Sequence, residues 1–468
     1  MPPSTSPATN LIRTPDLVLT GRFERSDEKT WRHIPFTVPD NVDQLHLSIT
    51  YNDRIASDPQ LGGGNTLDIG LFDEGGTAAG SPSFRGWSGS NKTEVTVGAD
   101  WATPPYRAAK PNQGEWNVLL GPYKVGPNGL DYQVAITFNP GITDPGRPPV
   151  ADLTTIERPD IPREEGWYCG DMHMHTVFSD GSAWPHEVAA EACRLGLDFI
   201  GITDHNRAQS PVDYVPQGDG WPVLVPGVEV TTYAGHFNVW GTDSWYDFRD
   251  PTAEGIQRAV DRARDDGGFV SLNHPRPFGP EWLYPEVTGF DAIEPWNGWW
   301  GMMNDVATRY WHARLAKGQR PWGMGGSDMH KLGAPFNPDV PISPAQLGRP
   351  TLWIQTFEPL SAPSILNALR AGRSFISESP AGPQLYLALE PDGSSLHVRV
   401  RGAKGDALIL CGPDGVLDAS TIDLDNFAFY WPMEFFSGVS RVHPPFVRIE
   451  IHRLGGDVRA LSQPVWLP

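Results

Sequence analysis

From Trp167 onward the chain alternates short apolar runs with stretches of helical periodicity, and this alternation limits the folds that the chain can adopt. Short apolar runs bounded by Gly and Pro indicate buried strands. Strands that alternate with helices form parallel βα units, so residues 167–378 favour a closed barrel or a doubly wound sheet. The apolar runs are residues 198–205, 223–232, 236–241, 269–275, 290–298 and 321–330, and the helical stretches are residues 187–196, 253–267 and 304–318.

The segments on either side of this region carry the period-2 alternation of antiparallel strands. Residues 16–140 contain runs such as LHLSITY and YQVAITF, which predict an N-terminal β-sandwich. Residues 379–468 contain LHVRVRG and FVRIEIHR, which predict a smaller C-terminal β-sandwich. The Pro-rich residues 141–166 are predicted to be a linker, and residues 1–15 a disordered N-terminus. The predicted protein is therefore multidomain, with a central barrel between two β-sandwiches.

Composition excludes several classes of partner and compartment. Acidic residues outnumber basic ones by 56 to 36, and a net charge of -20 repels phosphate backbones, so we expect no nucleic-acid partner. Cys169, Cys193 and Cys411 form no CxxC pair, which indicates neither a disulfide framework nor a thiolate zinc site and fits a reducing compartment. The N-terminus lacks a signal-peptide pattern, and no apolar run reaches the ~18 residues of a membrane span. We therefore expect a cytoplasmic protein without membrane contact.

Most of the central apolar runs carry side chains that bind metals at or near one end. In a βα barrel the carboxyl ends of the strands converge on one face, so these distant residues would meet there. His173 and His175 stand two apart in an extended segment, as do Asp328 and His330, so each pair points to one side. Imidazoles and carboxylates without thiolate suit Zn, Mn or Fe. The side chains at the run ends are His173, His175, Asp204, His205, Glu229, His236, His274, Asp328 and His330.

These segments together resemble the PHP family, named for polymerase and histidinol phosphatase. The resemblance covers residues 167–378 and implies a distorted (β/α)7 barrel around a centre of two or three divalent ions. The segment EPWNG (294–298) looks like the CehA/McbA branch of metallohydrolases, whose namesakes cleave an aryl carbamate. The segments that carry the resemblance are DMHMHTVFSDG (171–181), GITDHN (201–206), GVEVTT (227–232), LNHP (272–275) and GGSDMH (325–330).

The resemblance also implies the ligands of the metal centre. Glu229 would bridge two ions, and Asp180 stands where many relatives have histidine. Asp171 and Asp204 come shortly before ligand histidines and could orient them, or Asp204 could move a proton as a catalytic residue; capping of strand ends explains both equally well. The implied ligands are His173, His175, Glu229 and Asp328 for one ion, Glu229, His236 and His274 for a second, and Asp180, His205 and His330 for a third.

Such a centre predicts hydrolysis. Divalent ions a few ångström apart lower the pKa of a shared water from ~15.7 toward ~7, which gives a hydroxide nucleophile at neutral pH. Glu229, as the bridging carboxylate, is thereby predicted to be catalytic. No GxSxG nucleophile elbow, Walker loop or dinucleotide fingerprint stands beside a suitable strand, so water is the expected acceptor.

Polar side chains follow several ligands by one or two positions and could hold a substrate. Arg276 follows LNHP between two prolines and is predicted to bind the substrate and act in catalysis. Asn206, Arg207 and Lys331 could likewise hold phosphate oxygens, or the two cations could be solvated loop charges. An aromatic cluster could instead wall an aryl or acyl pocket, or pack the barrel. It comprises Trp282, Tyr284, Trp296 beside Asn297, Trp299, Trp300 and Trp311.

The leading prediction is a metal-dependent phosphoesterase acting on a small phosphomonoester or phosphodiester, because most PHP relatives do this and the loops carry cations. A carbamate or carboxylic ester hydrolase is the alternative, favoured by the aromatic cluster and by EPWNG. A carbohydrate- or protein-binding module with a vestigial barrel would hold no metal. A DNA-processing role is disfavoured by the net charge. The expected partner is a small-molecule substrate, and the sequence leaves a homo-oligomer open.

Overall fold

The chain forms two compact units, Met1–Gly146 and Arg147–Pro468. Each unit has a hydrophobic core of its own. Residues 1–13 of the predicted disordered N-terminus lie outside the described residues. The computed structural model describes residues 14–58, 61–277, 279–335, 344–439 and 444–468.

The first unit contains two four-stranded antiparallel sheets. Its strands are β1 (Leu17–Phe23), β2 (Arg32–Val38), β3 (Gln44–Tyr51), β4 (Thr66–Phe72), β5 (Phe84–Gly89), β6 (Glu94–Gly98), β7 (Gly114–Lys124) and β8 (Leu130–Phe138). The strand orders are β1-β8-β3-β6 and β2-β7-β4-β5. In β3, Leu45, Leu47 and Ile49 are buried and alternate with more exposed residues, as the alternating sequence predicts. Leu47 of β3 and Trp116 of β7 belong to one core, so both sheets bury their apolar faces against each other.

The second unit begins with nine strands and four helices. They are β9 (Trp167–Met174), α1 (Pro185–Arg194), β10 (Phe199–Ile202), β11 (Val223–Thr232), β12 (Gly235–Trp240), α2 (Ala253–Asp265), β13 (Phe269–Leu272), β14 (Ala292–Asn297), α3 (Asn304–Ala316), β15 (Trp322–Gly326), β16 (Thr351–Gln355), α4 (Ala362–Arg370) and β17 (Ser374–Ser377). Strands β9 to β15 lie side by side in chain order. Each predicted apolar run of the central region therefore supplies one strand.

The central sheet differs from seven regular βα units. Strand β12 is antiparallel to both β11 and β13, because a tight turn ending at Gly235, with φ 118°, folds it back as a hairpin. The segments from β10 to β11 and from β13 to β14 contain no α-helix among their described residues, since their Pro- and Gly-rich sequences lack helical periodicity. Helices are correspondingly few, and none in the described part of the chain is long and apolar enough to cross a membrane.

The segment that follows β15 returns to β9. Asp328 N donates to His173 O and His175 N donates to Met329 O, each at 2.8 Å. Gly326 permits this approach, because a Cβ at that position would lie 2.3 Å from the Cβ of His173. The first strand of the series, β9, is therefore hydrogen-bonded to the segment that follows its last strand, β15. Residues at the end of β9 thus lie beside residues 328 and 329.

The C-terminal region has eight strands and one helix among the described residues, and five of these strands continue the central sheet. The elements are β18 (Gln384–Leu389), β19 (Ser395–Arg401), β20 (Ala407–Gly412), β21 (Gly415–Thr421), β22 (Asn426–Pro432), α5 (Met433–Val439), β23 (Phe446–His452), β24 (Val458–Ser462) and β25 (Val465–Trp466). Strand β17 pairs with β24, and the order runs on through β23, β20 and β21, while β18, β19 and β22 form a separate sheet. Ile200 of β10 and Val398 of β19 belong to one core. Residues 379–468, expected as a separate sandwich, therefore share the core of the central region.

Candidate metal centre

Three groups of histidine and carboxylate side chains lie together where strands β9 to β15 end. Within each group, one nitrogen or oxygen atom per residue lies within 4.8 Å of those of the other members. His175, His205 and Glu229 each belong to two groups, so the three groups are continuous. The groups are His173, His175, Glu229 and Asp328; His205, Glu229 and His236; and His175, Asp180, His205 and His330.

Two ligands predicted from the sequence lie on left-handed backbone, at φ 29° for His274 and φ 56° for Asp328. Such conformations cost about 1–3 kcal/mol each and persist only where neighbouring groups hold them. His274 N donates to Glu294 Oε2 at 3.1 Å, and Asp328 N donates to His173 O. His274 Nε2 thereby lies 3.3 Å from Glu229 Oε1, which brings the ninth predicted ligand beside the three groups.

Glu229 of β11 lies at the centre of the cluster, and its side chain is 1% exposed. Asn273 Nδ2 donates to its Oε1 at 2.7 Å. Five imidazoles surround the same carboxylate, and no arginine or lysine of the described residues forms an ion pair with it. The nitrogens at Oε1 are His173 Nε2 at 3.4 Å, His236 Nδ1 at 3.3 Å and His274 Nε2 at 3.3 Å, and those at Oε2 are His175 Nε2 at 3.4 Å and His205 Nδ1 at 2.8 Å.

The cluster is open at the Asp180 edge and closed at β9. Asp180 Oδ1 lies 3.3 Å from His330 Nε2 and 3.6 Å from His205 Nε2. The side chains of Asp180 and His330 are 42% and 37% exposed, whereas those of His173 and His175 are 1% and 0% exposed. A molecule from solvent therefore reaches the cluster past Asp180 and His330.

The donor set fits divalent cations. His173 Nε2 is buried without a hydrogen-bond partner among the described residues, although it lies 3.4 Å from Glu229 Oε1 and 3.5 Å from Asp328 Oδ1. A buried imidazole nitrogen normally has a partner, and a nitrogen turned toward two carboxylates is arranged as a metal ligand is. Imidazole nitrogens with carboxylate oxygens suit Zn, Mn and Fe, and sulfur is absent from the groups.

Charges within the cluster are strongly coupled. Burial opposes ionisation of Glu229, but the adjacent imidazoles, that of His173 foremost, hold its pKa well below the usual value. Burial and neighbouring imidazoles lower the pKa of His175 to about 3. Burial also opposes protonation of His330, but the Asp180 carboxylate prevails and raises its pKa to about 10. His175 is therefore a neutral donor at pH 7, whereas a cation at Asp180 competes with a proton on His330.

Asp171 and Asp204, predicted to orient ligands or move a proton, are fully buried and engaged by hydrogen bonds. Asp204 accepts from Thr176 N, Thr176 Oγ1 and Ser179 Oγ, each at 2.7 Å. Asp171 accepts from three backbone N–H groups, in β9, after β15 and before β16. Asp204 therefore fixes the loop that leads to Asp180, and Asp171 fixes β9 against the segments beside it.

Glu294, which sequence reasoning did not single out, is a further carboxylate of the site. It lies on β14, is 2% exposed, and its Oε1 is 2.9 Å from His173 Nδ1. The signal in the sequence was its place within the apolar run at residues 290–298, where a carboxylate is buried and needs partners.

The two arginines predicted to contact substrate are engaged by the fold. Arg207 is 1% exposed and donates to backbone carbonyls of β11 and of the loop after β12. Arg276 is 5% exposed and donates to Asn297 O at 2.9 Å, to Asn297 Oδ1 at 2.6 Å and to Asn304 Oδ1 at 2.6 Å. Both guanidinium groups thus bond within the fold, and the predicted substrate contacts of Arg207 and Arg276, with the catalytic role of Arg276, stay predictions. Lys331 is exposed, and its substrate contact stays a prediction.

The other predicted substrate contacts are packed. Asn206 exchanges two hydrogen bonds of 2.9 Å with the backbone of Thr231. Asn297 Nδ2 donates to Glu294 Oε2 at 3.1 Å, and Trp296 is 2% exposed. Of the remaining predicted aromatic cluster, Trp282 and Trp311 are buried, whereas Tyr284, Trp299 and Trp300 are partly exposed.

A second aromatic group, missed in the sequence, includes two residues close to Asp180 in the chain. The Phe178 ring centroid lies 4.5 Å from that of Tyr214 and 5.9 Å from that of Trp184. Phe178 and Trp184 flank Asp180 in the chain, and Trp184 and Tyr214 are partly exposed. The segment that carries Asp180 thus also carries two of these three rings.

Comparison with known proteins gives short or weak likenesses. No family model matches the chain. Over 95 residues the chain is 32% identical to an error-prone DNA polymerase of Nocardia farcinica. The aligned segment covers 20% of this chain and only 7% of that polymerase. A two-domain protein of Bacteroides vulgatus, described as containing a predicted PHP-like metal-dependent phosphoesterase, is similar at 19% identity and a TM-score of 0.36, over 67% of this chain and 99% of that one. PsfC from Pseudomonas syringae is similar at 16% identity and a TM-score of 0.31, over 42% of this chain and 87% of that one.

Proposed function

We propose that the protein is a metal-dependent hydrolase, and that it acts as a phosphoesterase on a small phosphomonoester or phosphodiester. The observation that carries this proposal is the gathering of imidazoles around the buried Glu229 carboxylate, with His173 Nε2 turned toward two carboxylates. The resemblance of the central motifs to the PHP family supports the phosphoester. The net charge of -20 favours a small-molecule substrate over nucleic acid.

The role of each side chain in hydrolysis would depend on its position in the cluster. Bound divalent ions would supply Lewis acidity, which activates water and offsets negative charge at the attacked centre. Asp204 and Asp171 hold the ligand-bearing segments, and the exposed Asp180 and His330 border the path of the substrate. The ions would be held by His173, His175, Glu229 and Asp328, by Glu229, His236 and His274, and by Asp180, His205 and His330.

A carbamate or carboxylic ester hydrolase is the second candidate. It is favoured by the aromatic group of Phe178, Trp184 and Tyr214, two of which stand close to Asp180 in the chain, because aromatic rings suit an aryl or acyl portion. It is also favoured by the engagement of Arg207 and Arg276 within the fold, since an anionic substrate would have only Lys331 among the predicted cations.

A substrate panel with Mn or Zn tests the proposal. We expect two or more ions per chain by elemental analysis and release of phosphate from at least one small phosphoester. The variant His173→Ala should lose at least about 100-fold in turnover, because it removes a ligand, whereas His397→Ala, an exposed histidine of β19, should keep full activity. Turnover of aryl carbamates or esters without phosphate release would favour the second candidate. A chain that binds no metal would exclude both.

A further inference from the structure

Glu294 contacts two predicted ligands that would belong to different ions. Its Oε1 lies 2.9 Å from Nδ1 of His173, and its Oε2 accepts from the backbone N–H of His274 at 3.1 Å. His173 would bind the first ion and His274 the second. One buried side chain thus touches both halves of the centre.

The contact with His173 determines which ring nitrogen faces the cluster. A carboxylate at Nδ1 favours the tautomer with the proton on Nδ1, which leaves the lone pair of Nε2 free to bind a cation. Nε2 of this ring is the buried nitrogen turned toward Glu229 and Asp328. Glu294 therefore supplies the polarity and the orientation that this ligand needs.

The contact with His274 acts on the backbone instead. His274 has φ 29°, a conformation that residues other than glycine rarely adopt. The N–H group of this strained residue donates to Glu294, while the imidazole Nε2 lies 3.3 Å from Glu229. Without the acceptor at Oε2, the backbone would relax and carry the ring away from the cluster.

The Glu294 carboxylate is itself held in place by a hydrogen bond from Asn297. Asn297 Nδ2 donates to Oε2 at 3.1 Å, and Arg276 binds both Asn297 and Asn304, the first residue of α3. Three donors at two oxygens leave Glu294 little freedom. Arg276 is thereby linked to Glu294 through Asn297, which accounts for its burial.

We propose that Glu294 is a positioning residue that couples the two metal subsites, so that loss of its carboxylate weakens both ions together. This inference rests on the proposed metal centre and not on the identity of the substrate. Glu294→Gln keeps the volume but replaces one acceptor oxygen with an NH2 donor. That donor must then face either His173 Nδ1–H or the two donors at Oε2, so one contact becomes repulsive.

The test measures metal binding directly. Wild type, Glu294→Gln and Glu294→Asp are titrated with Co(II) against a chelator, and bound metal is counted after dialysis. We expect Glu294→Gln to weaken binding about 10–100-fold, with both ions lost in one step and an altered visible Co(II) spectrum. The matched control is Glu450→Gln, in a partly buried glutamate of β23 whose carboxylate binds Arg448 and His452 far from the metal centre in the chain. It should lower the melting temperature and leave metal binding unchanged.

Several outcomes would overturn the proposal. One is that Glu294→Gln binds the same number of ions as wild type with an affinity within twofold. Another is that Glu294→Gln loses one ion while the affinity for the other is unchanged. If Glu294→Gln does not fold, Glu294→Asp, which keeps the charge on a shorter side chain, must bind metal more weakly than wild type. A wild-type chain that binds two ions but hydrolyses nothing would refute the proposed function and leave this proposal to be decided by the same titration.

Discussion

Glu229 shows how a residue that is costly to bury becomes the centre of a site. An ionised carboxylate without partners would be strongly disfavoured at 1% exposure. Here a hydrogen bond from Asn273 and the surrounding imidazoles stabilise the charge, and they hold its pKa low. Arg276 serves the same region differently, since its guanidinium joins the end of β14 to the start of α3.

At this residue scale we predict that Arg276→Ala acts on stability first. Removing the guanidinium takes away the charged N–H groups that donate to the buried side-chain oxygens of Asn297 and Asn304. The free energy of unfolding should therefore fall by about 2–4 kcal/mol. Urea titration followed by circular dichroism measures the change.

Lys331→Ala is the matched change at an exposed cation, and it should leave the free energy of unfolding within about 0.5 kcal/mol of wild type. If Lys331 contacts an anionic substrate, its removal raises KM with little effect on kcat. An Arg276→Ala protein that is as stable as wild type but has a raised KM would instead indicate that Arg276 contacts the substrate.

At the scale of the elements, β9 and β15 approach so closely that β15 needs a glycine at position 326. A Cβ at Gly326 would lie 2.3 Å from His173 Cβ and 3.0 Å from Glu294 Oε1. Neither neighbour can move freely, since the first is next to the backbone of β9 and the second is held by hydrogen bonds. The spacing of these two strands thus determines where His173 lies.

We predict that Gly326→Ala separates β9 from β15 and displaces His173. The expected results are a loss of about 1–3 kcal/mol in unfolding free energy and at least about tenfold weaker metal binding. Gly438→Ala, at an exposed position of α5 with no heavy atom within 4 Å of the added Cβ, is the control and should be neutral or slightly stabilising. Unchanged metal binding in Gly326→Ala would mean that the strands tolerate separation.

The whole molecule consists of two units with separate cores, and the candidate metal centre lies entirely in the second. A ligand that binds only the folded state stabilises the unit that holds it. The C-terminal strands share the core of the central region, so they should unfold with it and not as a third unit.

At this scale we predict two thermal transitions by calorimetry. Metal at about 100 times its dissociation constant should stabilise the second unit by roughly 2.7 kcal/mol and raise one melting temperature, while a chelator reverses the shift and the other transition stays in place. His173→Ala, which should abolish the metal-dependent shift, assigns the transition. One transition that moves as a whole would show that the two units unfold together.

Local pattern was sufficient for much of this chain. Period-2 alternation predicted strands such as β3, and helical periodicity predicted the whole of α2 with two further residues. Metal-binding side chains at strand ends predicted residues that gather around Glu229. These features depend on side chains a few positions apart, or on one rule of sheet geometry, so the sequence alone carries them.

The tertiary structure decided what depends on contacts between distant segments. The hairpin that turns β12 antiparallel, the core shared by the C-terminal strands, the burial of Arg207 and Arg276, and the bond from Glu294 to His173 were not predicted. A charged residue after a strand has the same local pattern whether it faces solvent, substrate or a carbonyl. Only the position of its partners, set by packing across the sheet, distinguishes a substrate contact from a support of the fold.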